Sequence, residues 1–116
     1  MFEELSRKEL ESMLRDAALN WLAHDGLWFL AAEETLGLEK AIELDGKAWE
    51  SFTVIEAKRI MKRHGIAPGG GISSLSKALR YRLYAVINRQ EVVSQTETRM
   101  VFRMNECRVQ TARKRK

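Results

Sequence analysis

The stretch Trp21-Leu22-Ala23-His24-Asp25-Gly26-Leu27-Trp28-Phe29-Leu30-Ala31-Ala32 constrains the fold more than any other part of the chain. Wound on a helix it is apolar on nearly every side, and such a helix is buried rather than half-solvated. Its ionisable groups, His24 and Asp25, fall in the middle, where a charge is costly unless paired. The expectation is a central buried helix, with partners for both residues supplied from elsewhere in the fold.

The start of that helix is marked upstream. Ser6-Arg7-Lys8-Glu9 is a capping box, with Ser at the N-cap and Glu three residues on. One stripe runs Leu10, Leu14, Ala17, Trp21, His24, Trp28, Ala31, and a second runs Ala18, Leu22, Asp25, Phe29, Ala32, Leu36. Gly37 fits the C-cap. Gly26 lies mid-helix, so the span reads as one long helix or two collinear ones.

A second helix is expected from Leu38 to Arg63, with Ala41, Ile42, Asp45, Ala48, Trp49, Phe52, Ile55, Glu56 and Ile60 inward. Arg59, three residues after Glu56, is within reach for an ion pair. His64-Gly65 ends the helix with Gly65 in the left-handed conformation. Ile66-Ala67-Pro68-Gly69-Gly70-Gly71 combines the only proline with a glycine triplet and reads as a connector. It lacks the Gly-Lys-Ser/Thr ending of a phosphate-binding loop and any strand before it, so that motif is rejected. Ser73 or Ser74 then caps a third helix, with Leu75, Leu79, Leu83, Val86 and Ile87 inward and Arg80, Tyr81, Arg82 and Tyr84 on its flanks.

After Asn88 the period changes. Met100, Phe102 and Met104 alternate with Val101, Arg103 and Asn105, which is strand spacing. Val92 and Val93 supply a partner strand across Gln95-Thr96-Glu97-Thr98, and Cys107 follows directly. The predicted class is α+β, mostly α, with three main helices and a small antiparallel hairpin. Residues 1–107 form one domain, and 108–116 form a basic tail that begins a further helix. A two-stranded hairpin is marginal alone, so completion by a homo-oligomer is expected.

Charge looks like a nucleic-acid signal until it is located. The net charge is +4, but Arg108, Arg113, Lys114, Arg115 and Lys116 sit in a stretch without acids. The remainder carries 15 bases against 16 acids, so the basic character belongs to the tail. Such a run binds phosphate backbones without sequence preference or is simply solvated, and nucleic acid is not the expected partner. No apolar run reaches the roughly 20 residues of a membrane span, and the acidic Met-Phe-Glu-Glu start is no signal peptide. A lone cysteine excludes an internal disulfide framework and points to a reducing cytoplasm.

Chemistry, if present, gathers on residues that interrupt apolar faces: His24, Asp25, Asp45 and Glu56. Ionisable groups in such places are shifted as catalytic sites require, and they also serve as structural pairs. Cys107, flanked by Arg103 and Arg108, is the candidate nucleophile, with His24 as base and Asp25 or Asp45 as orienting carboxylate. An inert half-buried thiol is the alternative. Trp28 and Trp49, with Asp45, Glu56 and Arg103, can line a small-molecule pocket between helices, although tryptophans at helical spacing also serve as core. No metal is predicted: Trp21 and Met61, not Glu, stand three residues before His24 and His64. Nothing in the sequence names a cofactor.

Several of these blocks together resemble a family of uncharacterised prokaryotic cytosolic proteins. They are Asn20-Trp21-Leu22-Ala23-His24-Asp25-Gly26-Leu27-Trp28-Phe29, the run Glu43-Leu44-Asp45 to Trp49, Phe52-Thr53-Val54-Ile55-Glu56-Ala57, and Phe102-Arg103-Met104-Asn105-Glu106-Cys107-Arg108. That family is distantly similar to the L-2-amino-thiazoline-4-carboxylic acid hydrolases. The resemblance implies that Cys107 corresponds to a cysteine following a strand, and that the chain matches the N-terminal part of longer relatives. The expected function is a hydrolase-like small-molecule enzyme or ligand-binding domain, or else a non-enzymatic oligomeric scaffold whose buried acids are structural.

Overall fold

A computed structural model describes residues 1–108. The tail 109–116, and the helix expected there, lie outside the described residues. The order is a 3₁₀ turn at Phe2–Glu4, α1 at Arg7–Leu36, α2 at Leu38–His64, α3 at Gly71–Leu79, α4 at Leu83–Ile87, β1 at Arg89–Gln95 and β2 at Met100–Glu106. The protein is therefore α+β and mostly α. The chain forms two compact units, Met1–Ala41 and Ile42–Lys116.

In the first unit α1 is one continuous helix, and Gly26 does not break it. Its start is the predicted capping box. The Glu9 amide donates to Ser6 Oγ at 3.1 Å, and the Ser6 amide donates to Glu9 Oε2 at 2.7 Å. Gly37 is the C-cap at φ 89°, its amide donating to the Glu33 carbonyl at 2.8 Å. The two stripes have different fates. Ala18 and Ala32 are buried and Leu22, Asp25 and Phe29 half-buried, whereas Leu10, Leu14, Ala17, His24, Trp28 and Ala31 are exposed. Full burial of Trp21–Ala32 is thus corrected: Leu27 is 66% and Trp28 60% exposed. An apolar composition on all sides does not provide a neighbour for each side.

In the second unit the half-buried face of α2 is Asp45, Trp49, Phe52 and Glu56, continued by buried Ile60. This is narrower than the predicted stripe, since Ile42, Ala48 and Ile55 are exposed. The helix ends as its glycine requires. Gly65 has φ 63°, and the Ile66 amide donates to the Met61 carbonyl at 2.9 Å, the six-to-one bond of a Schellman end. Ile66 and Ile60 are both buried.

The predicted third helix is two. Its N-cap is Gly70 rather than Ser73 or Ser74, which lie within the first turns of α3. A Cβ at Gly70 would overlap the Ser74 hydroxyl, so the missing side chain sets this entry. Arg82 is extended at φ −68°, ψ 149°, and divides α3 from α4. This break resets the helical phase. Leu75 and Val86 are exposed instead of inward, and Tyr84, predicted on a flank, is buried.

The hairpin forms as predicted, antiparallel, with Val92 opposite Phe102 and Glu91 opposite Arg103. The ladder shifts by one residue between Val92 and Ser94, leaving Val93 as a bulge. Thr96 organises the turn: its amide donates to the Arg99 carbonyl at 2.7 Å, and its Oγ1 accepts from the Arg99 amide at 3.0 Å.

Candidate functional site

The predicted site residues divide between the two units. His24, Asp25 and Trp28 stand on α1, with His24 and Trp28 exposed and Asp25 half-buried and partnered. Asp45, Trp49 and Glu56 stand on α2, Arg103 on β2, and the half-buried Cys107 just after it.

Within the second unit, α2 and α4 bring one cluster together. Trp49 stacks on the Tyr84 ring at 5.5 Å between centroids and meets Phe52 edge-on at 5.4 Å. The Arg82 guanidinium lies 5.8 Å from the Tyr84 centroid, within cation–π range. Its Nε is 3.8 Å from Glu56 Oε1, and the Leu83 amide donates to Glu56 Oε2 at 3.2 Å. The cation that reaches Glu56 is thus Arg82, 26 residues away, and not the predicted Arg59 one turn along α2. The physical reason is geometric: α4 presents both a cation and a free first-turn amide to the same carboxylate, while Arg59 is exposed. With side chains only 16% and 29% exposed, Glu56 and Arg82 are shielded from water.

The polar contacts of this arrangement run between α2 and the start of α4. Arg82 makes no side-chain cap at the start of α4, and Glu56 fills that role from another helix. Glu56 therefore has two partners within the unit, the Leu83 amide and the Arg82 guanidinium. Trp49, half-buried, packs against both Phe52 and Tyr84. Arg103 lies opposite Glu91 on the ladder at 3.5 Å, with both side chains largely solvated.

Two features were missed from sequence. His64 and Tyr81 stack nearly parallel, 3.5 Å between centroids and 8° between planes, and Lys77 Nζ reaches the His64 carbonyl at 3.5 Å. Between α3 and the hairpin lies a recess of about 290 Å³, lined by residues including Leu79, Arg80, Gln90, Val92 and Phe102. Gln90 Nε2 donates to the Leu79 carbonyl at 2.9 Å, and its Oε1 is buried without a partner among the described residues. Near Cys107, the Arg108 amide donates to Asn88 Oδ1 at 2.9 Å. Among the described residues no three His, Cys, Asp or Glu side chains gather as a metal cage, and no helix is long and apolar enough to cross a membrane.

The profile of a family of unknown function, DUF6125, matches residues 3–116. The chain belongs to DUF6125. The match spans α1, α2, α3, α4 and the hairpin, so the capping box and the Glu56–Arg82 cluster are features of a DUF6125 domain. No curated protein and no solved structure matches the chain. The expected membership of an uncharacterised family therefore stands, and the comparisons add no likeness of this DUF6125 member to the amino-thiazoline hydrolases.

Proposed function

We propose that this DUF6125 chain is a non-catalytic interaction module that works by presenting one face of α1 to another polypeptide. The observation that carries this reading is the exposed stripe of α1. From Leu10 to Ala31, the positions Leu10, Met13, Leu14, Ala17, Asn20, Trp21, His24, Leu27, Trp28 and Ala31 share one side of the helix, all exposed except the half-buried Trp21, and include no Asp, Glu, Lys or Arg. Leu14, Leu27 and Trp28 are each more than half exposed. Together with Leu10 and Met13 they leave on the order of 500 Å² of apolar surface open, near the upper end for a monomer. Glu56 in the second unit supports the same reading, since it is engaged by Arg82 and Leu83.

The test is a doubly charged face. Leu14→Glu with Trp28→Glu should leave helical circular dichroism and a cooperative thermal transition in place, because the stripe serves an external partner. If these changes unfold a monomeric protein, the stripe belongs to its own core and the proposal fails.

The hydrolase-like reading has one observation of its own, a half-buried thiol at the end of β2 beside Arg108. In that reading Cys107 is a reactive thiol, and Asp45, Trp49, Glu56 and Arg103 of the same unit contact a small-molecule ligand. A reducing cytoplasm suits such a thiol. Its measure is iodoacetamide alkylation followed by mass spectrometry at neutral pH. The interaction reading expects a rate within a few-fold of glutathione. An acceleration of about 100-fold would mark an activated thiolate and favour the enzyme.

A further inference from the structure

Charge nearly cancels over residues 1–107, but it is spread unevenly along them. Residues 1–56 carry 13 acids and five bases, whereas residues 57–90 carry eight bases and no acid. Two of the eight are engaged within the second unit, Arg82 with Glu56 and Arg89 with Glu106 at 3.4 Å. The other six are Lys58, Arg59, Lys62 and Arg63 on α2, Lys77 on α3, and Arg80 at the C-cap of α3. All six are exposed, and among the described residues none forms an ion pair.

Helices α2 and α3 end beside each other. Lys77 Nζ reaches the His64 carbonyl at 3.5 Å, at the turn of α2 that carries Lys62 and Arg63. Tyr81, next to Arg80, stacks on His64, and although one face of its ring is covered it remains 44% exposed. The cations of α2 are not arranged to stabilise the helix they stand on. Arg7 of α1 and Lys47 of α2 each have an acid four residues away, Glu11 and Glu43. Lys58 instead has Lys62 at that spacing, and Arg59 has Arg63, pairs of like charge that oppose the helix. The nearest acid, Glu56, is held by Arg82 and Leu83. The helix dipole favours cations only in the last turn, which Lys58 and Arg59 precede.

We propose that this surface binds single-stranded nucleic acid, with phosphates on the six cations and a base stacked on the exposed ring of Tyr81. The inference goes beyond the reading of α1 and does not depend on it. Exposed Lys and Arg gathered without acids are the electrostatic footprint of a phosphate backbone. Arg59, Arg63 and Arg80 add forked donors that match two phosphate oxygens at once. The aromatic ring then selects among polyanions. Every base has a flat face to stack on it, and a base in a single strand is free to do so. A duplex keeps its bases stacked on one another. An acidic peptide or an anionic membrane would use the charges and leave Tyr81 idle.

Fluorescence anisotropy of the full chain with a fluorescein-labelled oligothymidine of about 20 nucleotides tests this. Binding at about 50 mM salt should weaken as salt is added, with a log–log slope of about −4 for six phosphate contacts. Two variants that each remove two positive charges separate this surface from the basic tail: Arg59→Ala/Arg63→Ala on α2, and Arg113→Ala/Arg115→Ala. The α2 variant should lose about 10-fold or more in affinity and flatten the slope by about 1.4, with helical circular dichroism unchanged. The tail variant should stay within about 3-fold of the unmodified chain. Tyr81→Ala should cost about 5-fold at an unchanged slope, and Tyr81→Phe should keep the affinity. Absence of binding by the unmodified chain overturns the proposal, as does a loss in the tail variant that equals or exceeds the loss in the α2 variant. Full affinity in Tyr81→Ala overturns it too. Displacement of the oligonucleotide by polyglutamate or by phosphatidylserine vesicles at matched charge assigns the surface to an acidic protein or a membrane, and likewise overturns it.

Discussion

In Met1–Ala41 the polar contacts described above run between near neighbours along the chain, whereas in Ile42–Lys116 several also tie together segments far apart in sequence. Ser6 and Glu9 cap each other within one turn, and Arg7 pairs with Glu11 one turn on, at 2.9 Å. In the second unit Glu56 holds Leu83 from 27 residues away, Arg108 donates to Asn88 across 20, and Gln90 donates to Leu79 across 11. The long helix α1, capped at both ends by neighbouring residues, keeps part of its apolar surface turned to solvent. The short α4, of five residues, has little stability apart from its contacts. The difference teaches where substitutions should register: as folding energy in the second unit, as association on the stripe of α1.

The largest expected effect is at Trp49. Truncation to Ala removes the stack on Tyr84 and the edge contact with Phe52, and should cost about 3 kcal/mol of unfolding free energy in urea titration. Hydrogen exchange sharpens the comparison: protection should fall across α4 and the hairpin while α1 keeps its own. An equal loss along α1 would break it. Next is Glu56→Ala, which leaves a shielded guanidinium unpaired and the first amide of α4 without its acceptor. A cost of about 2 kcal/mol is expected. Glu56→Gln retains an acceptor for the Leu83 amide and should recover part of that loss, which a purely coulombic role would not allow.

What could be read ahead of the structure divides along the same line. The capping box, the glycine ends of α1 and α2 and the strand alternation of Met100–Met104 are each fixed by residues within a few positions, and each forms as the pattern predicts. The break between α3 and α4 was not legible. Arg82 is extended where the Leu75-Leu79-Leu83 spacing continues a helix, and the contacts that hold α4 come from Trp49 and Glu56 on α2. Local pattern cannot report such a contact. The choice between the two stripes of α1 was hidden for a related reason: both run at alternating spacings of three and four, so periodicity alone gives them equal claim to burial. Glu56 was legible as a polar residue on an inward face, but its partner was not, because Arg59 satisfies the spacing rule and Arg82 satisfies the geometry.

The first unit supplies the next effect in size. Ser6→Ala removes the acceptor for the Glu9 amide and should cost about 1 kcal/mol, with the loss confined to fraying of the first turn of α1. Exchange at Glu9 and Leu10 should rise, while α4 and the hairpin remain unchanged. A response spread into the second unit would show that local capping there is coupled to the distant contacts, contrary to the division drawn above.

The smallest effect tests whether distance in sequence or shielding from water makes a polar contact matter. Glu91 and Arg103 face each other across the hairpin ladder at 3.5 Å, joining residues 12 apart, yet both side chains are largely exposed. Exposed pairs contribute little, since water screens them and ordering two long side chains opposes the attraction. Arg103→Ala should therefore shift the urea midpoint by the equivalent of about 0.5 kcal/mol or less, and added salt should erase even that. Arg82→Ala, which unpairs the shielded Glu56, should exceed it several-fold and resist salt. If Arg103→Ala matched Arg82→Ala, sequence separation alone would account for the importance of these contacts. If it remained far smaller, the decisive property would be the exclusion of water around Glu56, and the same property would explain why an α4 of five residues persists.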